Sequence, residues 1–395
     1  MLSRKEKVKP FGIVVAVALA ALAFRYCPIP WSALSLITAV LLATFAYLNR
    51  RSGSRVLMVN LAAVFFALAS FEGFIGVKQL RGDGSRIEGT IHQEFRADNM
   101  LGYAPNPNAR LTAKKFYGDT LLYDVVYSID EQGLRIAPPE DRTAPLMGCL
   151  VFFGDSLSFG EGVDDDQTFP YRVGVKANGR YAIRNFAFGG YGPHQMLATL
   201  QSKTFDQRVS CKPTHFFYLI IPTHVARVAG LTSWDRHGPR FRLHANDEVV
   251  RAGNFDDPAR IFGQGVEPRW VQQALDKFFT WQLFFGRGRN PNEADLQLFI
   301  AVVQAAARLT KQRYPDSMFT VLLWDGDSDE RFAAMENAWQ RDGIQIHRIS
   351  EAIPDIRSKR EQYIIPYDAH PNALQHERIA NYLINDILDG AGEPR

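Results

Sequence analysis

The sequence is short of cysteine, and the little it has is scattered. Three cysteines in 395 residues are too few for a disulfide scaffold, and Cys27, Cys149 and Cys211 match no zinc-binding spacing. Cys27 lies at the edge of an apolar run. Cys149 and Cys211 each precede an expected core strand; a bridge between them in an oxidising compartment is one reading, and two separate buried thiols is the preferred one. Internal repeats and low-complexity tracts are also missing. No basic stripe interleaved with aromatics occurs beyond the amino-terminal apolar region, so nucleic acid is not an expected partner. His194, His215 and His376 form no metal-ligand grouping, and no metal is expected.

Acidic residues are nearly absent from one end. Residues 1–81 hold ten Lys/Arg against Glu6 and Glu72, a net of +8, which leaves −5 for the remainder. A near-neutral chain is thus a basic apolar segment joined to a mildly acidic globular one. Three apolar runs occupy 11–24, 31–48 and 56–77, of 14, 18 and 22 residues. The last two meet the length needed to cross a bilayer; the first is short. A signal peptide would explain the first run, but Arg25-Tyr26-Cys27-Pro28 is a poor cleavage site, so residues 1–80 are expected to form a membrane anchor of about three transmembrane helices. Basic residues before the first run, and Arg50, Arg51 and Arg55 before the third, place those flanks in the cytoplasm. Everything after Lys78 is then outside, giving a multi-pass protein of an inner, bacterial-type membrane with its main domain on the extracytoplasmic side. Glu72, an acid within a span, is read as snorkelling at a helix end.

From 81 to 145 the pattern turns to short alternating pieces, such as Leu121-Leu122-Tyr123-Asp124-Val125-Val126-Tyr127, followed by Gln132-Gly133. This predicts a hairpin-bearing, β-rich connector without a core of its own. Beyond it strand and helix alternate. Strands are expected near 149–154, 182–188, 214–221, 318–324 and 343–348, and helices near 168–178, 193–209, 292–313, 329–342 and 371–389. That order predicts an α/β domain over 146–390 with a parallel five-stranded sheet. An insertion at 225–289 breaks the alternation and is expected to shape a substrate pocket or simply elaborate the packing.

The stretch that organises the domain is Cys149-Leu150-Val151-Phe152-Phe153-Gly154-Asp155-Ser156, an apolar strand that delivers a hydroxyl at its carboxyl end, where open α/β sheets hold their active sites. A serine needs a base and an oxyanion site to act as a nucleophile. Asn185-Phe186-Ala187-Phe188-Gly189-Gly190 and Asp368-Ala369-His370-Pro371-Asn372 offer both. Together the three blocks resemble the SGNH, or GDSL, hydrolase superfamily over roughly 146–390. The resemblance implies a three-layer, flavodoxin-like domain with Ser156 as nucleophile, His370 as base and Asp368 as the acid that orients it. Many relatives place this acid three residues before the histidine, where this chain has Tyr367; the Asp-x-His spacing is similar to polysaccharide O-acetyltransferase branches. The backbone N–H groups of Ser156 and Gly190 are the expected oxyanion donors. Relatives add an asparagine after the third strand, where this chain has Pro222-Thr223-His224, so Thr223 or His224 is nominated in its place. Arg227 is nominated for an anionic substrate, with a solvated or salt-bridged arginine the preferred reading.

The expected function is a membrane-anchored serine esterase acting on O-acyl, foremost O-acetyl, esters of an envelope glycan or lipid through an acyl-serine intermediate and without a cofactor. The same triad serves a polysaccharide O-acyltransferase, which would need a membrane acyltransferase partner to bring the acyl group across. A non-catalytic glycan- or protein-binding module is the alternative outside enzymology.

Overall fold

The computed structural model describes residues 31–48, 52–80, 84–140, 143, 145–244, 248–257, 290–326 and 331–389. They fall into two compact units, one of amino-terminal helices and one formed by Gly84–Asp257 with Asn290 onward.

The first unit consists of helices Trp31–Leu48 and Ser52–Leu80, packed against one another. Their buried positions are small or polar, Ser35, Ala39, Ala46, Ala62, Ala69 and Glu72, while Leu41, Phe45, Val56, Phe66 and Phe74 are exposed. A water-soluble helix pair would bury the large side chains and expose the small ones. Among the described residues one stretch, Arg55–Phe74, is long and apolar enough to cross a membrane, and the second run contributes only the shorter Ser35–Tyr47. The expectation of three spans is therefore not supported; the first run, and residues 258–289 of the expected insertion, lie outside the described residues.

The second unit opens with five strands: β1 Ser85–Gly89, β2 Phe95–Asp98, β3 Gly102–Pro105, β4 Arg110–Tyr117 and β5 Thr120–Ser128. β1, β4 and β5 form an antiparallel sheet, and β2 pairs with β3. The hairpin turns at Gly118-Asp119. The Gln132-Gly133 turn comes later, closed by Asp130, whose carboxylate accepts from the N–H groups of Gln132 and Leu134 at 2.8 Å each.

Next comes the parallel sheet: β6 Gly148–Phe153, β7 Tyr181–Asn185 and β8 Pro213–Ile220, then, after the hairpin β9 Pro239–Leu243 and β10 Val249–Asn254, β11 Met318–Leu323 and β12 Gln345–Arg348. Its order is β7-β6-β8-β11-β12, with every pairing parallel. Each of the five expected strands is present to within three residues. All six residues of β6 are buried, as befits a strand covered on both faces, and the pleat sends them to opposite sides. Cys149, Val151 and Phe153 pack with helices Pro193–Gln201, Glu293–Arg313 and Arg331–Arg341, whereas Leu150 and Phe152 pack with helix Phe169–Lys176 and the last helix. The chain leaves β6 towards β7 on one side and returns to β8 on the other, so the carboxyl end of β6 is the topological switch point.

Three local features depart from expectation. The helix expected over 193–209 is broken after Gln201, because Ser202 turns extended and its hydroxyl accepts from the N–H of Thr204 at 3.2 Å, a local bond that competes with the helical one. The last helix runs as α over Ala373–Tyr382 and continues as a π-turn over Leu383–Leu388. Cys149 and Cys211 are joined in a disulfide rather than standing as two thiols, since parallel pairing of β6 with β8 brings their strand entrances together.

The largest departure concerns the connector. Leu111, Ala113, Tyr123, Val125, Tyr127, Ile129 and Leu134 enter the same core as Val151 and Phe216. Arg135 is buried there with an ion pair to Asp165 at 3.0 Å, its guanidinium over the rings of Tyr127 and Phe159. The β-rich segment is thus built into the α/β unit and does not act as a spacer.

Candidate active site

At the end of β6 the chain must turn sharply into a short helix, Ser156–Phe159. Gly154 makes the turn at φ 151°, where a side chain would collide with Ser158. Asp155 caps the helix, its Oδ1 accepting from the N–H of Leu157 at 3.0 Å, and Ser156 becomes the first helical residue. Its own N–H donates to no group among the described residues.

His370 arrives from the other end of the chain. Residues 365–370 form a tight loop in which Tyr367 and Ala369 take φ of 60° and 68°, Asp368 and Ala369 donate to the carbonyl of Ile365, and Ile365 donates back to that of His370. Two non-glycine residues in the left-handed region are costly enough to need a reason. The loop supplies one by turning the Asp368 carboxylate onto the ring two residues ahead. His370 Nδ1 bonds Asp368 Oδ1, and His370 Nε2 lies 2.9 Å from Ser156 Oγ. Asn372 then caps the last helix through the N–H groups of Leu374 and Gln375. The structure thus brings the three sequence-nominated groups into one hydrogen-bonded line.

The electrostatics suit a base. Burial alone would raise the Asp368 pKa, but its bonds to His370 and Lys115 bring it down to about 2. Burial disfavours the His370 imidazolium, yet Asp368, with Glu161 and Asp155 nearby, raises the His370 pKa above its ordinary value.

The loop between β7 and helix Pro193–Gln201 closes the opposite wall. Asn185 holds it to the nucleophile turn, donating to the carbonyl of Ser158 at 3.0 Å. Three successive carbonyls of the loop are engaged: Gly189 by the Tyr103 hydroxyl at 2.8 Å, Gly190 by Trp234 Nε1 at 3.3 Å and Tyr191 by Arg227 Nη1 at 2.6 Å. The N–H of Gly190, like that of Ser156, donates to nothing among the described residues. Gly190 sits at φ 76°, and a Cβ there would lie 2.6 Å from Trp234 Nε1 and 2.7 Å from the Tyr103 hydroxyl.

Two nominated residues are placed elsewhere than their nominated roles require. Arg227, 7% exposed, donates through Nη1 to Asp155 Oδ2 at 2.8 Å and to the carbonyl of Tyr191 at 2.6 Å, so it clamps the Ser156 turn to the glycine loop. His224 is fully buried, with Nδ1 accepting from the Tyr218 hydroxyl at 2.8 Å and Nε2 facing Asp155 Oδ2 at 3.3 Å. Burial lowers its pKa to about 4. A neutral ring with both nitrogens taken supports Asp155 from below and has no donor left for an oxyanion. Asp155 itself, whose burial would raise its pKa, is held well below the usual carboxylate range by Arg227 and His224. Thr223 is exposed at the start of helix His224–Val228.

The structure adds groups that reading along the chain did not find. Lys115 of β4 lies 2.6 Å from Asp368 Oδ2. Glu161 lies 3.4 Å from His370 Nε2, between Gly160 and Gly162 at φ 87° and 84°. Beside it Glu94 is raised to about 7, by burial first and by Glu161 second. Glu161 alone had a local signal, a charge between two glycines just after the serine. Glu161, Asp368 and His370 place ligand atoms within 4.8 Å of one another; Asp368 Oδ2 is paired with Lys115 and His370 Nε2 with Ser156. The arrangement suits nucleophilic attack with proton transfer.

No family model matches the chain, and no curated protein matches it. Solved structures similar to it include a carbohydrate esterase family 2 enzyme with a carbohydrate binding domain from Corynascus thermopiles (Myceliophthora fergusii), 14% identical over 66% of this chain and 70% of that one, with a TM-score of 0.36. An acetyl xylan esterase from the rumen bacterium Butyrivibrio proteoclasticus is 11% identical over 73% of each chain, with a TM-score of 0.35. A protein assigned as a GDSL-like lipase from Parabacteroides merdae is 12% identical over 62% of this chain and 96% of that one, with a TM-score of 0.32. At such values the likenesses carry no chemistry to this chain; its own side chains do.

Proposed function

We propose that this chain is an SGNH-type serine esterase that cleaves O-acyl, foremost O-acetyl, esters of an envelope glycan or lipid. The observation that carries the reading is the continuous line from Ser156 Oγ through His370 to Asp368. In the first half-reaction His370 Nε2 takes the proton of Ser156 as Oγ bonds the ester carbonyl carbon. The N–H groups of Ser156 and Gly190 hold the oxyanion. Collapse breaks the bond to the alkoxy group, which leaves with the proton from His370. Water then repeats the sequence on the acyl-serine and frees the acid. If a sugar hydroxyl replaces water the product is a transferred acyl group, and a membrane partner would have to supply the donor ester.

Exposed rings flank the groups that react and favour a sugar-bearing substrate. Trp234, 56% exposed, lies against Gly190, and Tyr367, 69% exposed, stacks on Tyr117 beside Asp368 with centroids 4.4 Å apart. Flat rings with an open face suit the apolar side of a pyranose. The Cys149–Cys211 bridge supports an oxidising, extracytoplasmic location. A single span over Arg55–Phe74, with Arg50, Arg51 and Arg55 on its amino-terminal side, agrees with that orientation.

The test is release of acetate from an acetylated xylan or an aryl acetate by the full chain in detergent. Turnover that vanishes in Ser156→Ala is the expected result. Equal turnover in that variant would overturn the reading.

A further inference from the structure

We infer that Lys115, carried by β4 outside the parallel sheet, is a positioning residue of the acyl-transfer site, fixing the Asp368 carboxylate in the orientation and ionised form that His370 requires. The inference rests on the esterase reading above. It begins from an anomaly in β4, where neighbouring lysines behave differently. Lys114 points outward to an exposed pair with Asp124 at 2.7 Å. Lys115 follows on the inward side, the side of fully buried Ala113, and its side chain is only 20% exposed. Placing an ammonium on the buried side of a strand is unfavourable unless it meets a specific partner.

The partner is Asp368 Oδ2 at 2.6 Å, on a carboxylate whose side chain is wholly buried. Oδ1 accepts from His370, through the ring and through the backbone N–H at 3.3 Å. No backbone N–H among the described residues reaches Oδ2. A buried carboxylate with one oxygen on a neutral imidazole needs a counter-charge on the other, and Lys115 supplies it. The strand is shaped to do so: the β4–β5 register slips between Lys115 and Phe116, an irregularity that re-aims side chains. Two residues on, Tyr117 stacks on Tyr367 of the same catalytic loop.

The charge also balances what faces His370. Ser156 and Glu161 meet its Nε2, Asp368 meets its Nδ1, and Asp155 stands behind the nucleophile. Tyr123 of β5 lies close to both Asp368 and Glu161, and Glu94 lies close to Glu161. Three carboxylates therefore favour the imidazolium, and Lys115 is the cation paired with one of them. Without it the imidazolium is over-stabilised and the base remains protonated to higher pH.

The experiment is the pH profile of kcat/KM for aryl acetate hydrolysis by the full chain, comparing wild type with Lys115→Met, Lys115→Arg and Lys114→Met. Lys115→Met should move the acid limb up by about one pH unit and lower the neutral-pH rate by about 10- to 100-fold. Lys115→Arg should restore the limb, and Lys114→Met, which removes an equal charge from the exposed pair, should match wild type. A folded Lys115→Met protein whose acid limb does not move, or an equal displacement in Lys114→Met, would overturn the inference while leaving the esterase reading in place. A wild type that neither turns over ester nor reacts covalently at Ser156 would overturn both.

Discussion

Two regions of one compact unit contribute to this site in different ways. The parallel sheet carries Ser156 after β6 and Gly190 after β7, and His370 enters from the loop just before the last helix. The β-rich segment supplies the surroundings: Lys115 on Asp368, Glu94 beside Glu161, Tyr117 under Tyr367 and Tyr103 on the glycine loop. In the proposed reaction the first region determines which bond is made, and the second sets the charge and shape around that bond.

Removing a reacting group tests the division most severely. Ser156→Ala and His370→Ala should each lower ester turnover by about 10,000-fold or more, read as kcat/KM on an aryl acetate. A smaller loss would move catalysis away from the sheet. Next in size is Arg227→Met, which leaves Asp155 buried without its cationic partner. Urea unfolding of the purified protein should show a loss of about 3–5 kcal/mol. Gly190→Ala comes third, because φ 76° and the contacts to Trp234 and Tyr103 leave no room for a methyl group. Strain of about 1–3 kcal/mol at the glycine loop should appear mainly in kcat. The smallest effect is expected where the β-rich side meets the catalytic loop, at the ring stacked on Tyr117. Tyr367→Ala should raise KM several-fold for an acetylated glycan and leave aryl acetate hydrolysis unchanged; an equal loss on both substrates would place that ring in the chemistry instead.

The sheet was legible in the sequence because its strands are continuous apolar runs, such as Phe216-Phe217-Tyr218-Leu219-Ile220, that end at turn residues. Ser156 was legible because it stands at such an end, and Asp368 and His370 because they stand just ahead of the start of the last helix. The contribution of the β-rich segment was not, for a physical reason: whether Lys115 faces water or a carboxylate depends on which side of a hairpin packs inward and on a register slip. Neither shows in the alternation of Lys114 and Lys115. The disulfide was missed for a related reason, since only the pairing of β6 with β8 shows that Cys149 and Cys211 meet. His224 and Arg227 were found as residues near the site; the structure turns both towards Asp155, which agrees with the salt-bridged reading of Arg227 and not with an oxyanion role for His224.

The central claim is that Ser156 and His370 form a working nucleophile–base pair. It is tested most directly by intact-mass detection of a fluorophosphonate adduct on the full chain, with the modified residue mapped by peptide mass. One adduct on Ser156 in the wild type, and none in Ser156→Ala or His370→Ala, is the result expected. A folded wild type that takes up no adduct, or an adduct that persists in Ser156→Ala, would contradict the account.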